Sequence, residues 1–358
     1  MAKAKVYLKK SDYDSSSDFV EEALNVFKEN PFISGERVLL YFDGNFDRKR
    51  GIFTYPDERF LKSIIESFLN LNVHLRIGVS IFENLSENLI NLIKGYPVEI
   101  VSFMAEGFEK FPYKKITVGK ERRKSEYLHR RVLSKIYLPQ SFNWANSIVS
   151  VSKIKLHPFL KFEGVVTGIL SLTPSYTRVE TFFYGSSLTV FGEALSEIIS
   201  ILNEKFKLAF LDGVEIFEED EIRGNKTYLN TLLASSDLLS LDSVGSVLVG
   251  LKPSENQIFN SISLRGLGAN RLNEIDIVGD NFVDLIKKVQ KPTKRKKSAF
   301  NSTKFYIDKN LCTDCEICLE VCPVSAIDLK THTINNKKSI ACFECYLRCP
   351  EGAIKIKE

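Results

Sequence analysis

The chain has 358 residues, of which 44% are hydrophobic and 26% charged, and a formal net charge of +4. That length exceeds one usual core, so two or more domains are expected, with apolar residues enough to bury a large one. The slight charge calls for no nucleic-acid partner. No apolar run reaches the roughly 18 residues that cross a bilayer, and Met1-Ala-Lys-Ala-Lys-Val-Tyr7 has no apolar leader core, so a cytoplasmic protein without a membrane partner is expected.

Along the chain, Val38-Leu-Leu-Tyr-Phe42 is an apolar run of strand type, Glu58 to Leu69 has helical periodicity, Leu75 to Val79 reads as strand and Glu87 to Ile93 as helix. The basic stretch from Lys120 to Arg131, which includes His129, has helical spacing and reads as an exposed face or an anion contact. Ile148-Val-Ser-Val151 and Leu208-Ala-Phe-Leu211 are further buried strands. The alternation predicts an α/β fold over residues 1–290, with a mainly parallel sheet, flanking helices, and ligands at the carboxyl ends of strands. Neither Gly-x-Gly-x-x-Gly after a strand nor Gly-x4-Gly-Lys-Ser/Thr occurs, and Gly266-Leu-Gly268-Ala-Asn-Arg271 reads as a turn.

Three loop segments carry candidate chemistry. In Ser152-Lys-Ile-Lys-Leu-His157, strict alternation would put Lys153, Lys155 and His157 on one side of a strand end, as a cationic site or a solvated edge. Asp212-Gly213-Val214-Glu215 ends a strand with an acidic pair, for a cation or an Asp-Gly turn. In Ala234-Ser-Ser-Asp237 through Asp242, capping of a helix would by itself account for Asp237, with Asp242 on the second turn.

Residues 291–303, with Lys291-Pro-Thr-Lys-Arg-Lys-Lys, are polar and basic and read as a linker, a solvated tether or a phosphate contact. As a flexible coil this stretch would hold its ends roughly 20 Å apart. The last unit, 304–358, contains all seven cysteines, as Cys312-x2-Cys315-x2-Cys318-x3-Cys322-Pro323 and Cys342-x2-Cys345-x3-Cys349-Pro350. Thiolates are the soft ligands of iron–sulfur clusters, and the first run has the bacterial ferredoxin spacing, whose fourth cysteine ligates the other cluster. Zinc needs no third cysteine at this spacing, and an odd count argues against disulfides. The crossing rule assigns a [4Fe-4S] cluster to Cys312, Cys315, Cys318 and Cys349, and a second cluster to Cys322, Cys342 and Cys345. Counting back, Ser339 stands where the second cluster's fourth thiolate belongs. Three readings stay open for that corner: an absent iron and a [3Fe-4S] cluster, a [4Fe-4S] cluster with a Ser339 alkoxide, or a corner open to water or substrate.

The segments Ile148 to His157 with Val166-Thr-Gly168, Leu211-Asp-Gly213, Leu233-Ala-Ser-Ser-Asp237 with Leu241-Asp242, and Glu274-Ile-Asp-Ile-Val-Gly279 resemble successive motifs of the domain of unknown function 362 family. The resemblance spans about residues 36 to 280 and implies an iron–sulfur protein, often with a C-terminal ferredoxin module. Members typically have Lys-Pro-Asn at the end of an early strand, where this chain has Asp43-Gly44-Asn45, and Lys-Asn about ten residues after the histidine, where Ser171-Leu172 stand. Two polar positions of the family pocket are thereby changed.

Two functions fit. In one, the clusters exchange electrons with a substrate held by Lys155 and His157, with Asp212, Asp237 and Asp242 orienting it or a metal, all five converging in one cleft that faces the module. In the other, the chain is an electron carrier or redox-sensing adaptor whose α/β domain docks a partner and performs no chemistry. The partner is a redox protein or a small-molecule electron acceptor.

Overall fold

The computed structural model describes residues 3–44, 46–47, 52–53, 55–80, 87–112, 131–157, 160–174, 177–178, 180–181, 187–217, 225–287, 289, 304–322, 324–342 and 344–357. Asn45, the basic stretch through Arg130 and the linker 291–303 lie outside them.

The body is built on an eight-stranded sheet. Its strands are β1 (Ala4–Lys10), β2 (Arg37–Phe42), β3 (His74–Val79), β4 (Glu99–Ser102), β5 (Ser147–Lys153), β8 (Phe206–Phe217), β9 (Lys226–Ser235) and β10 (Ile275–Gly279); β6 (Lys155–His157) and β7 (Lys161–Glu163) form a separate antiparallel pair. The order across the sheet is β10-β1-β9-β8-β5-β2-β3-β4, and β9 alone runs against the others. The expected mainly parallel α/β architecture is thus present, and each strand foreseen from an apolar run forms within a residue or two of its predicted start.

Period-two alternation divides each strand between two cores, because successive side chains point to opposite faces. Leu39 and Tyr41 of β2 and Ile148 of β5 join the face covered by α4 (Val165–Gly168), α5 (Leu188–Leu202), α6 (Leu238–Leu248) and α7 (Gln257–Leu264). Val38, Leu40, Phe42, Val149 and Val151 pack on the other face against α1 (Ser16–Val26), α2 (Glu58–Asn70) and α3 (Glu87–Lys94). Asp57 starts α2 by accepting the Arg59 N–H at 2.9 Å, and Asp237 starts α6 by accepting the Ser240 N–H at 2.7 Å. The apolar stripes of α2 and α3 then decide which face each helix buries.

The C-terminal module has its own small core of Phe305, Ile307, Ile327, Ala341, Ala353 and Ile354 around Cys318 and Cys349. Two short ladders frame it: β11 (Lys304–Ile307) with β14 (Ile354–Lys357), and β12 (Ile327–Asp328) with β13 (Thr333–Ile334). Between them lie α8 (Ile317–Glu320) and α9 (Glu344–Arg348).

Candidate metal centres

The module repeats itself at an offset of 27 residues, 312 to 339 and 322 to 349, and the backbone follows the sequence. The N–H of Cys312 donates to the Asp308 carbonyl at 3.1 Å, and that of Ser339 to the Asn335 carbonyl at 2.9 Å. Cys322 Sγ accepts the Ala326 N–H at 3.2 Å, and Cys349 Sγ accepts the Ala353 N–H at 3.1 Å. Asp314 and Ala341 each take a positive φ, 51° and 53°, just before Cys315 and Cys342. Ser339 Oγ accepts the Ala341 N–H at 3.2 Å, the bond that Cys312 Sγ makes with the Asp314 backbone. Ser339 therefore stands in the place of a first ligand.

The thiols gather into two cavities. One is lined by Cys312, Cys315, Cys318 and Cys349, the other by Cys322, Cys342, Cys345 and Ser339. Their empty volumes, ≈ 330 and ≈ 310 Å³ with the open solvent in front of them included, are similar. This segregation is the crossed one: Cys349 comes from the second run and sits with three cysteines of the first. Charge repulsion follows the same sets, Cys318 feeling Cys349, Cys315 and Cys312, and Cys345 feeling Cys342 and Cys322 first. A soft four-thiolate set and a three-thiolate set fit iron–sulfur clusters.

The two surroundings differ. Glu316 and Glu351 line the first cavity, and Cys318, pushed up to about 11 by burial and its neighbouring thiols, is its most shielded ligand after Cys349. Phe305, Val324, Ile327, Ile334 and Ile340 line the second. There burial and the Glu344 carboxylate push Cys342 up to about 12, and burial with the neighbouring thiols takes Cys345 well above its ordinary value. Glu344 also acts on Arg178 of the body, whose guanidinium burial holds it below its usual range.

In the body the five groups foreseen for one cleft go to separate places. Alternation fails at Ile154, where β5 ends and β6 leaves the sheet to pair with β7. Lys153 therefore turns to the α1/α2 face, while Lys155 lies with Ser152 on the other. All three of Lys153, Lys155 and His157 are buried, at 5%, 8% and 3% exposure, which overturns the solvated-edge reading.

Lys155 Nζ donates to Asp43 Oδ2 at 2.8 Å with Glu163 Oε2 at 3.9 Å, and Ser152 Oγ donates to Asp43 Oδ1 at 3.0 Å. A Cβ on Gly168 would come within 2.6 Å of Ser152 Oγ and 3.2 Å of Asp43 Oδ1, so this approach requires glycine. Asp242 is near enough to feel Asp43 and Lys155, but its two oxygens each accept a backbone N–H, of Val165 and Val166, at 2.9 Å. Burial nevertheless raises its pKa to about 7.

Asp212 lies on the opposite face, accepting from Tyr13 at 3.1 Å to each oxygen, from Lys153 Nζ at 3.3 Å, and from the N–H groups of Asp57 and Val214 at 3.1 and 3.0 Å. Burial and the Asp212 charge raise the Tyr13 hydroxyl far above its usual range, so it stays a donor. Asp237 follows the antiparallel β9 and sits toward the opposite ends of the strands, roughly 16 Å from Asp212 along the strand direction. Its capping of α6 is the role the structure gives it. His157 Nδ1 accepts the Leu160 N–H at 3.0 Å, and burial beside Lys155 and Lys161 lowers its pKa to about 3. Of the five, Lys155 and Asp242 share a site. Tyr13, Asp43, Ser152 and Arg178 were not foreseen as partners; Asp43, at the carboxyl end of a parallel strand, had a usable signal.

A family model for a domain of unknown function (DUF362) matches residues 87–246, and one for a 4Fe-4S binding domain matches residues 305–328, taking in Cys312 to Cys322. The chain thus carries a DUF362 region followed by a C-terminal 4Fe-4S binding domain. The pyruvate synthase subunit PorD of Methanothermobacter marburgensis is 36% identical over 64 residues, 18% of this chain and 78% of that relative. Among solved structures, the lactate racemase apoprotein of Thermoanaerobacterium thermosaccharolyticum aligns at 14% identity and a TM-score of 0.38, over 66% of this chain and 55% of its own. A Thermotoga maritima protein aligns at 12% identity and a TM-score of 0.39, over 70% and 59%. The chain thus spans little more than half the length of either. Among its described residues no helix is long and apolar enough to cross a membrane. The 4Fe-4S domain and the PorD likeness make it an iron–sulfur protein with an electron-carrying module.

Proposed function

We propose that this protein is an electron carrier with two unequal clusters, in which the module does the redox work and the body docks a partner without turning over a substrate. The observation that carries the reading is a contrast: the thiols meet in two cavities, whereas the body's candidate groups are divided among sites closed by their own hydrogen bonds and ion pairs. Asp43, at one of the two changed family positions, takes up Lys155 and Ser152. The carbonyl of Ser171, at the other, accepts Arg178 Nη2 at 3.4 Å.

In this reading Cys312, Cys315, Cys318 and Cys349 hold a [4Fe-4S] cluster, and Cys322, Cys342 and Cys345 a [3Fe-4S] cluster with Ser339 at the vacant corner. A hydroxyl is a hard, neutral oxygen, a poor substitute for thiolate on iron–sulfur iron. Bound clusters supply one-electron exchange at potentials that their burial and hydrogen bonds set. The Ala326 and Ala353 N–H groups on Cys322 and Cys349 are such bonds. The partner is a redox protein or small acceptor in the cytoplasm.

The test is to reduce the protein, remove the reductant, and mix it with a neutral quinone or with cytochrome c. Both clusters should reoxidise, and Lys155→Met should leave the rates within about twofold. Oxidation that waits for a further small molecule and disappears in Lys155→Met would replace the carrier with an enzyme acting at Lys155 and Asp242.

A further inference from the structure

Asp314 meets a ligand of the first cluster twice, with opposite signs. Its backbone N–H donates to Cys312 Sγ, and its carboxylate Oδ1 lies 3.8 Å from the same sulfur. As a cluster ligand Cys312 is a thiolate with no proton to give, so the second contact is one of like charges. A hydrogen bond to a cluster sulfur stabilises the added electron of the reduced state, whereas a fixed negative charge opposes it. The carboxylate is held in place from another loop: His332 Nε2 donates to Oδ1 at 2.8 Å, since a carboxylate can only accept. The sulfur, the oxygen and the nitrogen all lie within 4.8 Å of one another.

The turn that carries His332 is itself ordered by hydrogen bonds. Between β12 and β13, Asp328 Oδ1 accepts the N–H groups of Lys330 and Thr331 at 2.9 and 3.3 Å, and the His332 N–H donates to the Leu329 carbonyl at 3.2 Å. His332 takes a φ of 51° there, a conformation that histidine enters more readily than most residues. The exposed Lys309 and Lys330 lie in the neighbouring turns, where water screens them.

The module's own repeat shows that the backbone does not call for the Asp314 side chain. Ala341 stands at the equivalent place in the second half, takes nearly the same φ, 53° against 51°, and gives its N–H to Ser339 Oγ. The second half therefore keeps the turn and its N–H donor and lacks the carboxylate. A charge at this place is a feature of the first cluster alone.

We propose that Asp314 and His332 set the potential of the four-iron cluster. Asp314 keeps a negative charge beside Cys312, and His332 is the positioning residue that holds it there. The cluster is thereby harder to reduce and, once reduced, a stronger electron donor. The inference rests on the carrier reading and adds a device that acts on one of the two clusters and leaves the other untouched.

The experiment is a spectroscopic redox titration of cluster-loaded full-length protein at one pH and one salt concentration, with the iron of each variant counted and both clusters read in the same samples. Asp314→Asn removes the charge and suits the left-handed turn. It should favour reduction of the four-iron cluster about tenfold, an upward shift of about 59 mV for one electron. Asp314→Ala should shift it equally and guards against a defect peculiar to the amide, since Ala341 shows that alanine fits this turn. His332→Leu should raise the potential by a smaller amount, and His332→Gln, whose amide can donate in place of Nε2, should restore the wild-type value. Adding His332→Leu to Asp314→Asn should change nothing further, because the histidine acts through the carboxylate. The three-iron cluster should keep its potential throughout. An unchanged or lowered four-iron potential in both Asp314 variants at full iron content overturns the proposal. So does an equal shift of both clusters, or a His332→Leu effect that adds to that of Asp314→Asn. Potentials that move as stated, in a reduced protein that passes electrons to neither cytochrome c nor a neutral quinone, overturn the carrier reading alone.

Discussion

The module collects Cys312, Cys315, Cys318 and Cys349 around one cavity and Cys322, Cys342, Cys345 and Ser339 around a second, whereas the body sends Lys155, Asp212 and Asp237 to three different places. Burial produces both results. In the module it shields thiols that have a common metal-sized space to face. In the body it forces each charge to find a counter-charge or backbone partner at once, since an unpaired buried ion costs several kcal/mol. Asp43, beside Lys155, makes such an internal ion pair.

The comparison breaks most visibly at the cysteines. Cys349→Ala should remove the four-iron cluster although Cys349 belongs to the second run, leaving about three irons per chain. Cys322→Ala should instead spare the four-iron cluster, leaving about four irons. Iron analysis with low-temperature paramagnetic resonance reads both, and loss of the opposite cluster in either variant would undo the crossing. Ser339→Cys should add about one iron per chain and abolish the three-iron signal on oxidation; an unchanged spectrum would mean that the vacant corner lies elsewhere.

On the body's side, two buried groups titrate in opposite senses. His157 is lowered from 6.5 to about 3, so its stabilising contribution is complete above pH 6.5 and is lost as the pH falls toward 3. Asp242 is raised from 3.8 to about 7, so its contribution is complete below pH 3.8 and is lost as the pH rises through 7. Between about pH 4 and 6.5 the two oppose each other. His157→Asn should therefore make the body more stable as the pH falls through that window, and Asp242→Asn less stable, each by up to about 1.4 kcal/mol per pH unit. Urea unfolding followed at Trp144, the chain's one tryptophan, measures this in loaded and iron-stripped protein alike. Identical slopes in the two variants would contradict the assignment, and disappearance of the Trp144 transition on iron removal would show that the body, 1–290, does not fold by itself.

The smallest effect lies inside the module's repeat. Ser325 and Gly352 occupy equivalent turns with φ of 46° and 58°. Ser325→Gly should slow thermal cluster loss and Gly352→Ala hasten it, each by about 1 kcal/mol. Equal decay rates would show that the turns do not limit cluster retention.

How far the chain could be read follows from the same contrast. The cysteines lie on short loops, so their spacing alone suggests the grouping seen in the two cavities, Cys349 with Cys312, Cys315 and Cys318, and Ser339 with Cys322, Cys342 and Cys345. The strands were legible because apolar runs such as Val38 to Phe42 need no partner to be recognised. The body's site was not, because it joins Asp43, Ser152 and Lys155 across neighbouring strands whose order the sequence does not state. The break at Ile154 leaves no mark in an alternation that continues through it, and Tyr13 and Arg178 sit in no motif.

The central claim is that two clusters of unequal ligation share this chain. Mössbauer spectroscopy of anaerobically purified, iron-enriched full-length protein tests it most directly. The account predicts about seven irons per chain, four in a cubane and three in a cluster that gives a three-iron signal when oxidised. About four irons in one cubane, with no three-iron component, or two complete four-iron cubanes, would contradict it.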